Sequence, residues 1–112
     1  MGSRVPLPFE INRSAEKGEL QKVVKWLRKG GLVDAQCSTT TKGGQTSTSS
    51  LLHAAAANDY LEMVKVLLKR GASINLQTSL GFTALVNAAH YGRLSVLLFL
   101  LQHSANPDLQ TY

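Results

Sequence analysis

Apolar side chains recur at helical spacing in two separate stretches of the chain. A stripe at positions i, i+3, i+6 and i+7 occurs twice, first as Leu61, Val64, Leu67 and Leu68, then as Leu94, Leu97, Leu100 and Leu101. Such a stripe is typical of a helix that is buried on one side. An alanine-rich stretch precedes each stripe, and small side chains let helices approach closely. The pattern therefore predicts two helix pairs, residues 50–58 with 60–70 and residues 83–91 with 93–102.

The two helix pairs are copies of one unit. Residues 52–56 (L-H-A-A-A) superpose without a gap on residues 85–89 (L-V-N-A-A), which lie 33 positions later. A third copy appears upstream when an insertion of eight residues is allowed. Periods of this length are typical of proteins built from stacked repeats. The predicted organisation is an N-terminal extension at 1–9, units at about 10–37, 46–78 and 79–111, and an insertion at about 35–47.

Two motifs within the units resemble the ankyrin repeat. Residues 81–92 read G-F-T-A-L-V-N-A-A-H-Y-G, and residues 67–72 read L-L-K-R-G-A. The family pattern opens on G-x-T-P-L-H-x-A-A and ends on L-L-x-x-G-A. The resemblance implies an all-α solenoid of helix-turn-helix units joined by hairpin-like connectors. It also implies a structural role for His53, whose ring would bond nearby backbone. Departures such as Asp59 in place of glycine and Val86 in place of histidine are local.

The two ends of the predicted array differ in character. Lys22 and Lys25 occupy positions that are Met63 and Val66 in the second unit, which indicates an outer face that meets water. At the other end, Leu98 stands in a nearly continuous apolar helix, so we expect another surface to cover it.

The last five residues suggest what that cover is. The string D-L-Q-T-Y at 108–112 matches the connector N-L-Q-T-S at 75–79, and we expect it to start a fourth unit. The chain is then a fragment of a longer array, or it self-associates through its uncapped C-terminal face.

The insertion at 35–47 is polar and contains S-T-T-T-K-G-G-Q-T-S. We expect a mobile projecting loop. Two interpretations stay open for it, a tolerated surface insertion without a role and a loop that contacts a partner or is modified at its hydroxyl groups.

Composition narrows the class of protein. A chain of 112 residues with 44% hydrophobic and 17% charged content fits one domain. We find no apolar run of membrane-spanning length and no signal peptide, so no membrane association is expected. Cys37 is the single cysteine and has no partner for an internal disulfide. These features favour an intracellular location, cytoplasmic or nuclear.

The residues with catalytic or metal-binding side chains do not form a recognisable active-site motif. His90 and His103 fall on different predicted helices, and Cys37 lacks a C-x-x-C partner, so no metal ligand set is predicted. The acidic residues fall at helix starts or exposed positions, where the helix dipole or solvent accounts for them. We therefore predict no catalytic residues, no cofactor and no small-molecule substrate.

The net charge of +5 raises the question of nucleic-acid binding. Arg28, Lys69 and Arg70 fall in the last turns of predicted helices, where cations offset the negative end of the dipole. A basic ridge on the convex side would bind nucleic acid or acidic lipid in a salt-sensitive way, but no aromatic residues interleave with it. Nucleic acid is therefore an unfavoured partner.

Recognition of another protein is the favoured function. The resemblance implies that the connector tips and the two residues after each A-A pair project towards one concave side. These positions are Gln77, Ser79, Leu80, Phe82, His90 and Tyr91 in the third unit, Ser49, Ala57 and Asn58 in the second, and Glu16 and Lys17 in the first. Leu80, Phe82 and Tyr91 are the predicted hot spot. The alternative is a regulatory or targeting arm of a longer enzyme whose catalytic part lies elsewhere.

Overall fold

The fold consists of three helix pairs and one β-hairpin. The computed structural model describes residues 6–40 and 42–103, and the bounds below refer to those ranges. The elements are α1 Phe9–Glu16, α2 Leu20–Arg28, β1 Gln36–Thr40, β2 Thr46–Ser50, α3 Leu51–Ala57, α4 Leu61–Lys69, α5 Ala84–His90 and α6 Leu94–Gln102. Both helix pairs predicted from the apolar pattern are confirmed, with ends that differ by at most one residue. The predicted start of a fourth unit lies outside the described residues.

The first helices of the units pack side by side and form the centre of the stack. Helix α3 contacts both α1 and α5, while each first helix also packs on the second helix of its own unit. Ala55 and Ala56 in α3 and Ala88 in α5 have no exposed surface. Small side chains at these positions let the helices approach closely, because no long side chain separates the backbones. The stack therefore follows from the alanine-rich stretches.

The turn between the two helices of each unit takes a left-handed residue. Gly18 and Gly92 have φ angles of 76° and 68°, and Asp59 at the matching position has a φ of 65°. Aspartate is one of the few side chains that tolerate this region. The departure from glycine at position 59 thus leaves the turn intact.

Side-chain caps fix the starts of the first helices in the second and third units. Ser50 Oγ accepts a hydrogen bond from the backbone N–H of His53 at 3.3 Å, and Thr83 Oγ1 accepts one from Val86 at 3.2 Å. Each bond satisfies one of the donors that a helix leaves free at its first turn. The connector therefore passes into the helix at a defined residue.

The insertion forms a β-hairpin instead of an irregular loop, so the fold is mostly helical rather than all-α. Strands β1 and β2 pair antiparallel from Gln36 opposite Ser50 to Thr40 opposite Thr46. The backbone N–H of Leu7 donates to Gln36 O at 3.0 Å, so the residues before α1 join the hairpin. The polar composition was misleading because threonine favours strands despite its hydroxyl group.

The connectors are also joined by side-chain hydrogen bonds. The carboxylate of Asp34, at the end of the first unit, accepts from Ser73 twice, from the backbone N–H at 2.9 Å and from Oγ at 2.6 Å. Because Ser73 follows α4, these bonds connect the first two units at the connector side of the stack.

The two end faces differ as the sequence predicts. Lys22 and Lys25 are exposed, whereas Met63 and Val96 at the position of Lys22 are buried. On α6, Leu94, Leu98 and Leu101 are 67%, 58% and 42% exposed. The predicted burial of Leu94 and Leu101 is therefore wrong within the described residues, because no element there covers this face. No helix in the described part of the chain has the length and apolar content needed to cross a bilayer.

Candidate functional site

A groove with a volume of about 310 Å³ lies where the first helices of the three units end. We call it the concave groove and define it by its lining residues, Glu16, Ser49, His53, Ala54, Ala57, Asn58, Asn87, Tyr91 and Arg93. All three units contribute because each supplies the end of a first helix or the turn that follows it. Five of the residues predicted for partner binding meet here, namely Glu16, Ser49, Ala57, Asn58 and Tyr91.

His53 forms the buried floor of the concave groove and is 1% exposed. Its Nε2 lies 2.9 Å from the carbonyl oxygen of Phe82, and its Nδ1 lies 2.7 Å from Ser50 Oγ. A carbonyl only accepts, so Nε2 carries the proton and Nδ1 accepts from the serine hydroxyl. The ring thus links α3 to the connector of the next unit, the structural role that the resemblance implies.

Burial lowers the pKa of His53 below its ordinary value. The hydrogen bond to the Phe82 carbonyl acts in the opposite direction, but it is the smaller effect. Desolvation disfavours the charged ring because the surrounding protein replaces water that would solvate it. The histidine is therefore neutral in the folded protein at neutral pH, and it serves the structure rather than proton transfer.

Two polar side chains on the wall of the groove are held by backbone carbonyls. Arg93 Nε donates to Ala57 O at 2.9 Å, and Asn58 Nδ2 donates to Ala54 O at 2.8 Å. Both carbonyls belong to the C-terminal end of α3, where a helix leaves its last carbonyl groups without intrahelical partners. Ala54 O also accepts from the backbone N–H of Asn58 at 3.2 Å. The bond from Arg93 crosses from the third unit to the second, and it positions the guanidinium at the groove.

Tyr91 is the exposed aromatic residue of the concave groove. Its side chain is 54% exposed, and its ring meets that of His90 edge-on at a centroid distance of 4.7 Å. It follows α5 directly, in the position that Asn58 occupies after α3. An aromatic ring beside fixed polar groups is a common arrangement for binding another protein.

The remaining predicted site residues lie elsewhere. Gln77 and Ser79 line a second cavity of about 820 Å³ between the hairpin and the connector. Ser79 N–H donates to Thr48 Oγ1 at 2.8 Å, and Gln77 O accepts from Gln36 Nε2 at 3.2 Å, so these residues help to hold the hairpin in place. Lys17 lines a third cavity, between α1 and α2.

The apolar part of the predicted hot spot is less exposed than expected. Leu80 and Phe82 are both half-buried, whereas Tyr91 is exposed. The backbone of Phe82 also takes part in the fold, since its N–H donates to Thr78 Oγ1 at 3.1 Å and its carbonyl accepts from His53.

Sequence reasoning missed Asn87 and Arg93, which line the concave groove. Asn87 lies inside α5 rather than after it, and Arg93 is the N-cap of α6. The predicted set comprised only connector tips and the two residues after each A-A pair. Asn87 precedes Tyr91 by four positions, so helical spacing from Tyr91 finds it. Arg93 follows the left-handed turn at Gly92, where helical spacing no longer applies.

The chemistry of the described residues is that of a binding surface. Within ranges 6–40 and 42–103, no group of three or more histidine, cysteine or acidic residues is placed to hold a metal ion. Cys37 is buried, and its burial, together with the charge of Glu16, raises the pKa of its thiol. A raised pKa reduces the thiolate fraction, so the sulfur is a poor nucleophile.

The basic residues weighed for nucleic-acid binding are solvated. Arg28, Lys69 and Arg70 are exposed and lie at the C-terminal ends of α2 and α4. At those ends they complement the negative pole of the helix dipole, which accounts for their positions without a ligand.

Stacked helix pairs with connectors on one side and a groove at the helix ends define a repeat scaffold of the ankyrin class. The family model for ankyrin repeats (3 copies) matches residues 11–111. The chain belongs to the ankyrin-repeat family. Ankyrin repeats are protein-interaction modules and are generally noncatalytic.

Curated relatives share the repeat region and extend far beyond it. The chain is 42% identical over 73 residues to the rice protein "Probable E3 ubiquitin-protein ligase XBOS32", covering 65% of the chain and 14% of that protein. It is 33% identical over 81 residues to mouse "Protein phosphatase 1 regulatory subunit 12A", covering 72% of the chain and 7% of that protein. It is 46% identical over 61 residues to mouse "Palmitoyltransferase ZDHHC13", covering 54% of the chain and 10% of that protein. The chain therefore spans a seventh or less of the length of these relatives.

Proposed function

We propose that the chain is a noncatalytic protein-interaction module whose concave groove binds a polypeptide segment. The observation that carries the proposal is the juxtaposition of Tyr91, 54% exposed, with polar side chains from all three units around one groove. Membership of the ankyrin-repeat family supports binding to a protein, and the geometry of the groove supports this particular surface.

The polar groups of the groove match the needs of a peptide backbone. Glu16 and Ser49 offer acceptor oxygens, and Asn87 offers both a donor and an acceptor. The terminal nitrogens of Arg93 add donors, because Nε is the atom that bonds Ala57 O. An extended segment carries alternating N–H and C=O groups, so it needs donors and acceptors together rather than a single charge.

Preorganisation lowers the cost of binding. Arg93 and Asn58 are already bonded to carbonyls of α3, and the floor histidine is bonded at both ring nitrogens. Side chains that are ordered before binding lose little rotamer freedom when the partner arrives. Tyr91 then supplies apolar contact area, with two rotatable side-chain angles to fix.

The experiment is a peptide selection followed by matched substitutions. A random peptide library displayed on phage is selected against the folded chain, and the affinity of each selected peptide is measured by fluorescence anisotropy. Tyr91→Ala and Asn58→Ala should each weaken binding by about tenfold or more, which is about 1.4 kcal/mol. Leu98→Ala is the control, since Leu98 is 58% exposed on α6 and does not line the groove.

The same measurements give the contrary result if the site is elsewhere. Peptides that tolerate both groove substitutions but are lost with Leu98→Ala would place recognition on the end face. Circular dichroism of each variant separates a lost contact from a lost fold.

A second candidate is a regulatory or targeting arm of a longer enzyme. The supporting observation is that the chain spans 14% and 10% of two relatives whose own names are those of a ubiquitin-protein ligase and a palmitoyltransferase. The coding sequence around this region tests the candidate. A catalytic domain in the same reading frame supports the arm, and a reading frame of repeats alone favours the stand-alone module.

A further inference from the structure

The third cavity, which Lys17 lines, has a different chemistry from the concave groove. It has a volume of about 580 Å³ and lies between α1 and α2, on the outer face of the first unit. We call it the basic cleft. Five basic side chains line it, Arg13, Lys17, Lys22, Lys25 and Lys29. Glu10 and Glu19 are its acidic residues, so the lining carries a charge of 5 − 2 = +3, out of +5 for the whole chain.

The floor of the basic cleft is apolar and aromatic. Phe9, Ile11 and Trp26 line it together with the charged residues. Phe9 is 61% exposed, and the Arg13 guanidinium lies 5.2 Å from the centre of its ring. An exposed apolar surface with a polar rim often marks a site that binds another molecule.

Trp26 occupies a special position in the register of the units. The matching residues Leu67 and Leu100 are fully buried, whereas Trp26 is half-buried and reaches the cleft. Its ring lies directly against Gly31, where an added Cβ would approach Trp26 Cδ2 to 2.4 Å. The Trp26 ring therefore packs closely on the backbone of Gly31 while it lines the cleft.

Little of the positive charge is neutralised from within. Among the described residues of the cleft, an ion pair joins Lys22 to Glu19 at 3.5 Å, and both side chains are exposed. An exposed pair of this kind contributes little, and water screens it.

We propose that the basic cleft binds an acidic peptide segment that inserts an apolar side chain between Phe9 and Trp26. The basic rim provides charge complementarity, and the aromatic floor provides the anchor site. Glu10 and Glu19 can accept hydrogen bonds from peptide N–H groups, which are donors that a phosphate backbone lacks. The cavity also surrounds one anchor rather than presenting an extended track of stacked rings, which single-stranded nucleic acid requires.

The test uses a short peptide of glutamates around one central leucine as the probe. Trp26 is the only tryptophan in the chain, so its emission reports directly on the cleft when the peptide has none. We expect saturable binding with a change in the emission of Trp26, and affinity that falls as salt rises. A peptide with lysines in place of the glutamates should bind at least about tenfold more weakly.

Charge-reversed variants separate the cleft from net charge. Lys25→Glu with Lys29→Glu should weaken the glutamate–leucine peptide at least about tenfold. Lys69→Glu with Arg70→Glu is the matched control, because Lys25 and Lys69 lie in the last turns of α2 and α4 and Lys29 and Arg70 are the C-caps of the same helices. The control double variant should change the affinity by less than about threefold.

Further variants test the anchor and the independence of this site. Phe9→Ala should lower the affinity for the peptide that contains leucine and leave the affinity for an all-glutamate peptide unchanged, because the lost contact is apolar. Tyr91→Ala, in the concave groove, should leave both peptides unaffected, so failure here is distinguishable from failure of the proposed function.

Four results would overturn the proposal. The first is an equal loss of affinity in the two charge-reversed double variants, and the second is binding without any change in the emission of Trp26. The third is equal affinity for the lysine peptide. The fourth is tighter binding of a single-stranded oligonucleotide or of phosphatidylserine vesicles than of the glutamate–leucine peptide. The last result would assign the cleft to phosphate ligands.

Discussion

Acidification should destabilise the fold through His53, a single buried ring. Its side chain is 1% exposed, and burial lowers its pKa in the folded protein below the unfolded value of about 6.5. Below the unfolded pKa, the unfolded chain therefore binds a proton at His53, whereas the ring in the folded chain stays neutral. Below the unfolded pKa, the free energy of unfolding falls as pH falls, and this continues until the folded pKa is reached.

The magnitude follows from the proton balance. One group that is protonated in the unfolded state and neutral in the folded state changes stability by at most about 1.4 kcal/mol per pH unit. Between about pH 7.5 and about pH 5.5 the integrated loss is about 1.4 kcal/mol if the folded ring stays neutral throughout. That loss is measurable, since domains of this size are stable by about 5–15 kcal/mol.

The assay is urea unfolding followed by circular dichroism at a series of pH values, for the native chain and for His53→Gln. Glutamine retains a donor for the Phe82 carbonyl but cannot titrate, and the Ser50 hydroxyl loses its acceptor. We expect the variant to be less stable at neutral pH by about 1–3 kcal/mol and to lose the pH dependence in this window. The exposed residue His90 provides the control through His90→Gln, which should keep the slope of the native chain.

One outcome refutes the reasoning. If His53→Gln and the native chain lose stability in parallel between about pH 7.5 and about pH 5.5, the titrating group is another residue. The hydrogen bonds of His53 would then be structural without controlling the response to acid.

Two further changes test the turns and the end face. Gly18→Ala and Gly71→Ala both place a side chain at positive φ, 76° and 96°, but only at Gly18 would the new Cβ meet a neighbour, Tyr60 Cε1 at 2.8 Å. Urea unfolding should show a loss of about 1 kcal/mol for Gly71→Ala and about 1–3 kcal/mol more for Gly18→Ala, and equal losses would exclude the tyrosine contact as a cause. Leu98→Lys introduces the residue that the second unit carries as Lys65, so stability should stay within about 0.5 kcal/mol while any dimer seen by light scattering dissociates. A dimer that survives this substitution uses another face.

The helices were predictable because burial and periodicity act on the same residues. Met63, Val64 and Leu67 are buried on one side of α4, and their spacing is visible in the sequence. The exposure of Lys22 and Lys25 was predictable for the same reason, since a charge at a position that is apolar in the other units indicates that no unit covers it. Because the unit is repeated, each position can be compared with the matching position in the other units, which is impossible for a single helix.

The hairpin and the full groove were not predictable by the same reasoning. Strands β1 and β2 consist mainly of serine, threonine and glutamine, so they carry no alternation of apolar and polar residues. Their order depends on contacts distant in sequence, such as the bond from Leu7 to Gln36 and the bond from Ser79 to Thr48. Arg93 is positioned at the groove by a hydrogen bond to the carbonyl oxygen of Ala57, 36 residues earlier, and no local sequence pattern predicts this contact.

The two ends of the stack are suited to different kinds of contact. The interface between the second and third units tolerates Lys65, whose ammonium lies 5.7 Å from the ring centre of Phe99 and whose side chain remains 43% exposed. A lysine at position 98 would therefore have been compatible with a neighbouring unit, yet the chain has a leucine there that is 58% exposed. Leucine contributes to association only when it is removed from water, at about 25 cal/mol for each Å² of apolar surface, so this face favours a broad contact that is insensitive to salt. The basic cleft at the other end carries net charge around a small aromatic floor, and its contacts weaken as salt screens the charge. Salt titration should consequently separate binding at one end from binding at the other.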